Sequence, residues 1–322
     1  MNALKKQLKY ELEKNLQDNQ KLETIFIGGG TPSTVKIEEY KKLFEVLEKY
    51  IDDNTEITTE CNPNSATLQW LQGMKNLGVN RISFGVQSFN NEKLKKLNRA
   101  HNGNRAIKAI QDAKSIGFNR INCDIIYGFE GDTYESMIKD FDTAFSLPIT
   151  HISAYSLTIE EGTEFFNKSS VKIDDEELSY KIFDYINKNG FHQYEISNFA
   201  KSKEEESKHN YGYWQHKNYL GVGAGAVGFV NNIRYYPNKS LEGYIQNPTK
   251  YDYEEINDED KKVEQVLLGF RCSLGVEKSL FSEEELERVG HLVKERKLFQ
   301  NDTTIMNKNF LLADELALYI LD

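Results

Sequence analysis

Residues Arg81 to Gln87 read RISFGVQ and alternate strictly, with Ile82, Phe84 and Val86 on one side of an extended chain and Arg81, Ser83, Gly85 and Gln87 on the other. The same split recurs at Arg120 to Tyr127, where Ile121, Cys123 and Ile125 oppose Asn122 and Asp124, and at Glu56 to Cys61, where Ile57 and Thr59 oppose Thr58 and Glu60. A doubly wound sheet, covered by helices on both sides, would be apolar on both faces. One polar face per strand points instead to parallel strands around a ligand-bearing interior, with helices outside and chemistry at the C-terminal strand ends. Glu60, Gln87 and Asp124 stand at or near those ends.

Working outward, short apolar runs at 23–27 and 151–158 add two further strands. Amphipathic stretches at 3–17, 37–51, 66–77, 91–97, 103–116 and 134–145 supply the intervening helices. Residues 1–165 therefore read as a partial parallel (β/α) barrel, an α/β arrangement. A barrel extension follows over 166–250, with a helix at 176–189, a strand around 194–199 and the aromatic segment HNYGYW. Residues 251–322 form a small α+β, winged-helix-like module with helices at 258–272 and 283–295, a short strand near 303–306 and a terminal helix. The polar segment 201–207 is the nearest thing to a linker.

The chain has 322 residues, of which 50 are acidic and 40 basic, giving a formal charge of -10. Nucleic-acid binding through general phosphate neutralisation is thereby disfavoured, and any anionic ligand must be met locally. No apolar run reaches the length of a membrane span and no signal peptide opens the sequence, so a cytoplasmic protein without a transmembrane segment is expected. Cys61, Cys123 and Cys272 have no zinc or disulfide spacing and read as small buried side chains.

Several residues carry two readings each. Gly28, Gly29 and Gly30, followed by Thr31 and Pro32, either bare the backbone to a ligand or form a structural loop. Glu60 either takes both hydroxyls of a ribose or pairs with Arg81 or Arg99. Gln87 offers a donor and an acceptor at the mouth, or links interior groups. Arg99 either clamps a carboxylate bidentately or is a solvated charge. Asp124 is a ligand contact or half of an internal ion pair. His209 among Tyr211, Tyr213, Trp214 and Tyr219 either ligates haem iron or belongs to an aromatic cap, with His216 and His192 as rival ligands. The run GVGAGAVG at 221–228 lacks the βαβ context of a nucleotide loop and reads as a close-packed turn.

The segments TIFIGGGTPS, ECNPNS, RISFGVQSFNNEKLKKLNRAHN, NCDIIYGFEGDT and HISAYSLTIEEGT together resemble the radical S-adenosylmethionine family of oxygen-independent coproporphyrinogen III oxidases. The resemblance implies that Gly29, Gly30, Thr31 and Glu60 contact S-adenosylmethionine and that Gln87, Arg99 and Asp124 complete those contacts. His209, Asn210, Tyr213 and Trp214 resemble the HNxxYW signature of the haem-chaperone branch. A protein that binds haem and S-adenosylmethionine and delivers haem to acceptor proteins is therefore expected. The alternative is an oxidase that decarboxylates coproporphyrinogen III to protoporphyrinogen IX.

The family also implies a [4Fe-4S] cluster held by CxxxCxxC. That motif is absent from these 322 residues, so the chain as it stands is not expected to bind the cluster or to cleave S-adenosylmethionine reductively. A strand and the cluster motif are expected to be encoded upstream of Met1.

Overall fold

The computed structural model describes residues 1–159, 171–173 and 175–322. The end of the HISAYSLTIEEGT motif and the 165/166 segment boundary lie outside these residues. The first half of the chain runs α1 (Asn2–Asn15), β1 (Thr24–Ile27), α2 (Ile37–Leu47), β2 (Glu56–Cys61), α3 (Leu68–Asn76), β3 (Arg81–Gln87), α4 (Asn91–Lys96), α5 (Gly103–Ile116), β4 (Arg120–Tyr127), α6 (Tyr134–Phe145) and β5 (His151–Ser156). Local signals set these bounds. Asn102 caps α5 by accepting from the Arg105 amide, Gly117 ends it in a left-handed turn at φ 98°, and Thr133 and Ser136 form a capping box on α6.

The second half contains α7 (Glu176–Lys188), β6 (His192–Gln193), β7 (Asn198–Ala200), α8 (Lys208–Trp214), β8 (Gly228–Val230), β9 (Ile233–Pro237), α9 (Leu241–Gln246) and β10 (Tyr251–Glu255). It closes with α10 (Asp258–Gly269), β11 (Val276–Glu277), α11 (Glu283–Lys294), β12 (Leu298–Gln300), β13 (Thr304–Asn307) and α12 (Ala313–Leu321).

The described chain forms two compact units. The first contains residues 1–23, 38–55 and 207–322, and the second contains 24–37 and 56–206. The second unit holds an open sheet of order β1-β2-β3-β4-β5-β7-β6, parallel from β1 through β5 and antiparallel beyond. Parallel pairing through βα connections produces the partial-barrel pattern that the alternation in β3 implied. The outward residues Ile82, Phe84, Ile121, Cys123 and Ile152 are fully enclosed.

One correction follows from the geometry. The strand expected around 194–199 is a hairpin of β6 and β7, because the Glu195 carboxylate accepts from the Ser197 amide and turns the chain between them. The polar segment 201–207 contains the boundary between the two units, at 206/207, and its Glu205 and Glu206 carbonyls accept hydrogen bonds from the buried Arg81 and the half-buried Arg120.

In the first unit, β8, β9 and β10 form an antiparallel sheet. Gln7 of α1 reaches the glycine run there, donating to the Gly221 carbonyl at 3.0 Å and accepting from the Gly223 amide at 2.8 Å. The C-terminal residues build a second antiparallel sheet, ordered β11-β13-β12, around a core of Val266, Phe270, Val289, Leu292, Leu298 and Ile320. Among the described residues, no helix is long and apolar enough to cross a membrane.

Candidate functional site

Strand register brings the polar faces of the second unit into one column. Thr58 lies beside Arg81, Glu60 beside Ser83, Ser83 beside Asn122, and Asp124 beside Ser153. At the base of this column Arg120 pairs with Glu56 at 2.7 Å; further along, Glu60 stands one residue before the end of β2 and Asp124 midway along β4.

The glycine loop leaves β1 directly against Glu60. The Gly29 amide donates to Glu60 Oε2 at 3.3 Å. A Cβ at Gly28 would stand 2.8 Å from the Phe26 ring and 3.1 Å from Glu60 Oε2, so only glycine allows that approach. Gly29 and Gly30 adopt φ of 79° and 58° with open space where a side chain would go. Their backbone is therefore bare and exposed at the surface. Thr31 opens the following turn, and Ser33 Oγ ties the loop to the end of β2 by contacting Ser65 Oγ at 2.6 Å and accepting from the Asn62 amide at 3.0 Å.

Glu60 forms no ion pair among the described residues: Arg81 is engaged at the base of the column, and Arg99 faces Asp124 instead. Burial raises the Glu60 carboxyl above its ordinary range, offset by the Gly29 amide. Asp124 likewise has no salt bridge among the described residues. Burial pushes its carboxyl up to about 6, aided by the charge of Glu60, while hydrogen bonds from Ser153, Asn122 and Ser83 pull the other way. Arg99 is exposed at the mouth with its charge directed at Asp124.

Gln87 ends β3 in a left-handed conformation at φ 67°, just after a register shift between β3 and β4. Such strain in a residue other than glycine commonly accompanies sites that must aim a side chain. Glu60 and Asp124 thus lie on the polar faces of β2 and β4, Gly29 meets Glu60 from the loop after β1 with Gly30 and Thr31 following, Arg99 sends its charge toward Asp124 from the segment after α4, and Gln87 ends β3. Sequence reading missed Asn122 and Ser153 as partners of Asp124; the alternation already placed Asn122 on the polar face.

This donor set suits S-adenosylmethionine: a strand-end carboxylate for ribose hydroxyls, a guanidinium for a carboxylate, and bare glycine backbone for close approach. The iron-sulfur cluster does not fit. No group of three His, Cys, Asp or Glu side chains among the described residues could hold a metal. Cys61, Cys123 and Cys272 are each buried singly, and burial drives the thiols of Cys61 and Cys123 well above their ordinary range.

The aromatic segment lies in the other unit. Ser207 caps α8 by accepting from the Asn210 amide, so HNYGYW is helical and His209 and Tyr213 share one face. Their rings meet edge to face at 5.0 Å, and Tyr213 meets Tyr219 at 4.7 Å. The Trp214 indole N–H is buried with no acceptor among the described residues. Of the rival histidines, His216 Nε2 lies 2.6 Å from Glu264 Oε2, and His192 Nε2 lies 2.7 Å from Glu206 Oε1.

A fold and cradle of this kind define a class, the radical SAM superfamily, whose model matches residues 4–144. Two curated relatives are both heme chaperone HemW. The Bacillus subtilis (strain 168) protein is 35% identical over 298 residues, covering 88% of this chain and 78% of that one. The Lactococcus lactis subsp. lactis (strain IL1403) protein is 32% identical over 315 residues, covering 94% and 82%. The chain belongs to the HemW family. Among solved structures, coproporphyrinogen III oxidase (HemN) from Escherichia coli, a radical SAM enzyme, superposes with a TM-score of 0.81 over 99% of this chain and 82% of that one, at 20% identity. That likeness concerns the fold alone.

Proposed function

We propose that this protein is a cytoplasmic haem chaperone that binds haem through the α8 segment, holds S-adenosylmethionine at the strand ends of the partial barrel, and passes haem to acceptor proteins. The HemW relatives support the haem reading across most of the chain. The observation that carries it to particular residues is the succession of edge-to-face ring contacts from His209 to Tyr213 and from Tyr213 to Tyr219. Imidazole supplies a ligand for iron and the rings supply flat apolar contact for a porphyrin. Gly29, Gly30, Thr31, Glu60, Gln87, Arg99 and Asp124 would bind and orient S-adenosylmethionine. The cluster is left out of this assignment, because the three cysteines of the chain do not form a site for it.

Titration with haem, followed by the Soret band, tests the reading. His209→Ala should shift the band and raise the dissociation constant at least tenfold. His216→Ala should bind haem as the parent does, since its Nε2 already serves Glu264. Unchanged spectrum and affinity in His209→Ala would remove His209 as the ligand. Turnover of coproporphyrinogen III without haem binding would instead identify an oxidase.

A further inference from the structure

Below Asp124 runs a line of side chains that none of the cofactor contacts above uses. Asn122 sits one pleat further down β4, where its Nδ2, with two hydrogens to donate, lies 2.6 Å from Asp124 Oδ1, 2.8 Å from Ser83 Oγ and 2.9 Å from Ser153 Oγ. Its Oδ1 lies 2.7 Å from His151 Nδ1, and His151 Nε2 lies 2.8 Å from the Tyr194 hydroxyl. Asn122, His151 and Tyr194 are 5%, 2% and 1% exposed, so water does not compete for these bonds.

The polarity of the line follows from its end. A carboxylate only accepts, so Asn122 must present its amide to Asp124 and its carbonyl to His151. His151 then carries its proton on Nδ1, and its Nε2 accepts from the Tyr194 hydroxyl. A rotated Asn122 would set a carbonyl against the carboxylate, and the His151–Tyr194 pair opposes that rotation. Burial, and after it the charges of Arg81 and Arg120, hold His151 well below its ordinary range, so it stays neutral and the line keeps one polarity.

We infer that Asn122, backed by His151 and Tyr194, is a positioning residue for the cofactor site, holding the Asp124 carboxylate charged and in one orientation. This rests on the reading that places Asp124 in the S-adenosylmethionine cradle. The other titratable groups that interact with Asp124 are Glu60 from β2, Tyr155 from β5, Arg99 from the segment after α4 and, from the outward side of the sheet, the Cys61 and Cys123 thiols. None of them is altered in the variants below.

The first readout needs no ligand. Carbon-13 NMR of the aspartate carboxyls in the full chain should show Asp124 titrating near 6. In Asn122→Leu the midpoint should rise by about one pH unit, the equivalent of losing one hydrogen bond to a charged acceptor. Tyr194→Phe should move it in the same direction by less, and it carries the test if Asn122→Leu does not fold. The second readout is calorimetric titration with S-adenosylmethionine. Binding by Asn122→Leu should weaken severalfold near neutral pH, recover as pH rises, and show no further loss in the Asp124→Asn background.

An unmoved Asp124 midpoint in Asn122→Leu, or in Tyr194→Phe where that variant alone folds, overturns the inference. So does an Asn122→Leu loss of binding that persists in full in the Asp124→Asn background. Unchanged binding in Asp124→Asn itself would overturn the cradle reading, and with it the role of Asn122 there, even if the midpoint moves.

Discussion

Cys61 and Cys123 flank Phe84 from the two neighbouring strands, each its register partner. Two strand spacings separate their backbones, roughly 10 Å, beyond the reach of a disulfide and too far for a shared tetrahedral metal.

The consequence is chemical silence. In the native chain Cys61, Cys123 and Cys272 should not react with a thiol reagent, because each is buried, and burial further disfavours the reactive thiolates of Cys61 and Cys123. All three should titrate once denaturant is added. Anaerobic treatment with iron and sulfide should leave no stoichiometric cluster on this chain, checked by iron analysis and visible absorption. Four irons per chain would mean that the cysteines rearrange.

Asp124 should cost folding stability at neutral pH. Its carboxyl is pushed from 3.8 up to about 6, so between those values the folded chain keeps a proton that the unfolded chain releases, and stability falls as pH rises through that window. Above it the cost is complete, on the order of 3 kcal/mol. Asp124→Asn should therefore raise Tm by several degrees at neutral pH and lose that gain near about pH 4, while S-adenosylmethionine binding weakens. Glu60→Gln should follow the same direction with a smaller effect. Urea unfolding at the two pH values decides; lower stability of Asp124→Asn at neutral pH would show that the carboxylate is a net structural asset.

Lys93 and Asp132 form a pair at 2.8 Å whose side chains are 8% and 5% exposed. The ammonium also donates to the Ile126 carbonyl at 2.7 Å, and Asp132 accepts from the Phe129 amide at 2.9 Å. Lys93→Met keeps the aliphatic stem and strands a buried carboxylate, which should cost about 3–5 kcal/mol. Lys93→Met with Asp132→Asn should recover most of that. Equal unfolding midpoints for the single and double variants would show that the carboxylate is not what the lysine is there to neutralise.

Much of the partial barrel was legible because single strands announce both of their faces. Arg81–Gln87 and Arg120–Tyr127 carry their split in consecutive letters, and capping residues such as Asn102 and Thr133 sit where the helices begin. The site was legible at its strand ends for the same reason. The rest depends on partners distant in the chain. Asn122 reads as one more polar letter until register sets it beside Ser83 and His151. The choice between an ion pair and a ligand contact at Glu60 could not be made locally either, since it depends on where Arg81 goes, and Arg81 goes to a carbonyl 124 residues away. The β6–β7 hairpin was hidden inside YEISNF, whose apolar letters fit a strand equally well.

Arg81 and Arg120 grip the Glu205 and Glu206 segment by its carbonyls, and carbonyls are common to all twenty amino acids. That contact reads the path of the chain, and the Glu205 carboxylate adds a longer ion pair to Arg120 at 3.8 Å. Replacing Glu205 would remove only the longer ion pair to Arg120, whereas a one-residue insertion or deletion would slide both carbonyl acceptors out of reach of the two guanidinium groups at once. The base of the interior is therefore specified by length more than by identity.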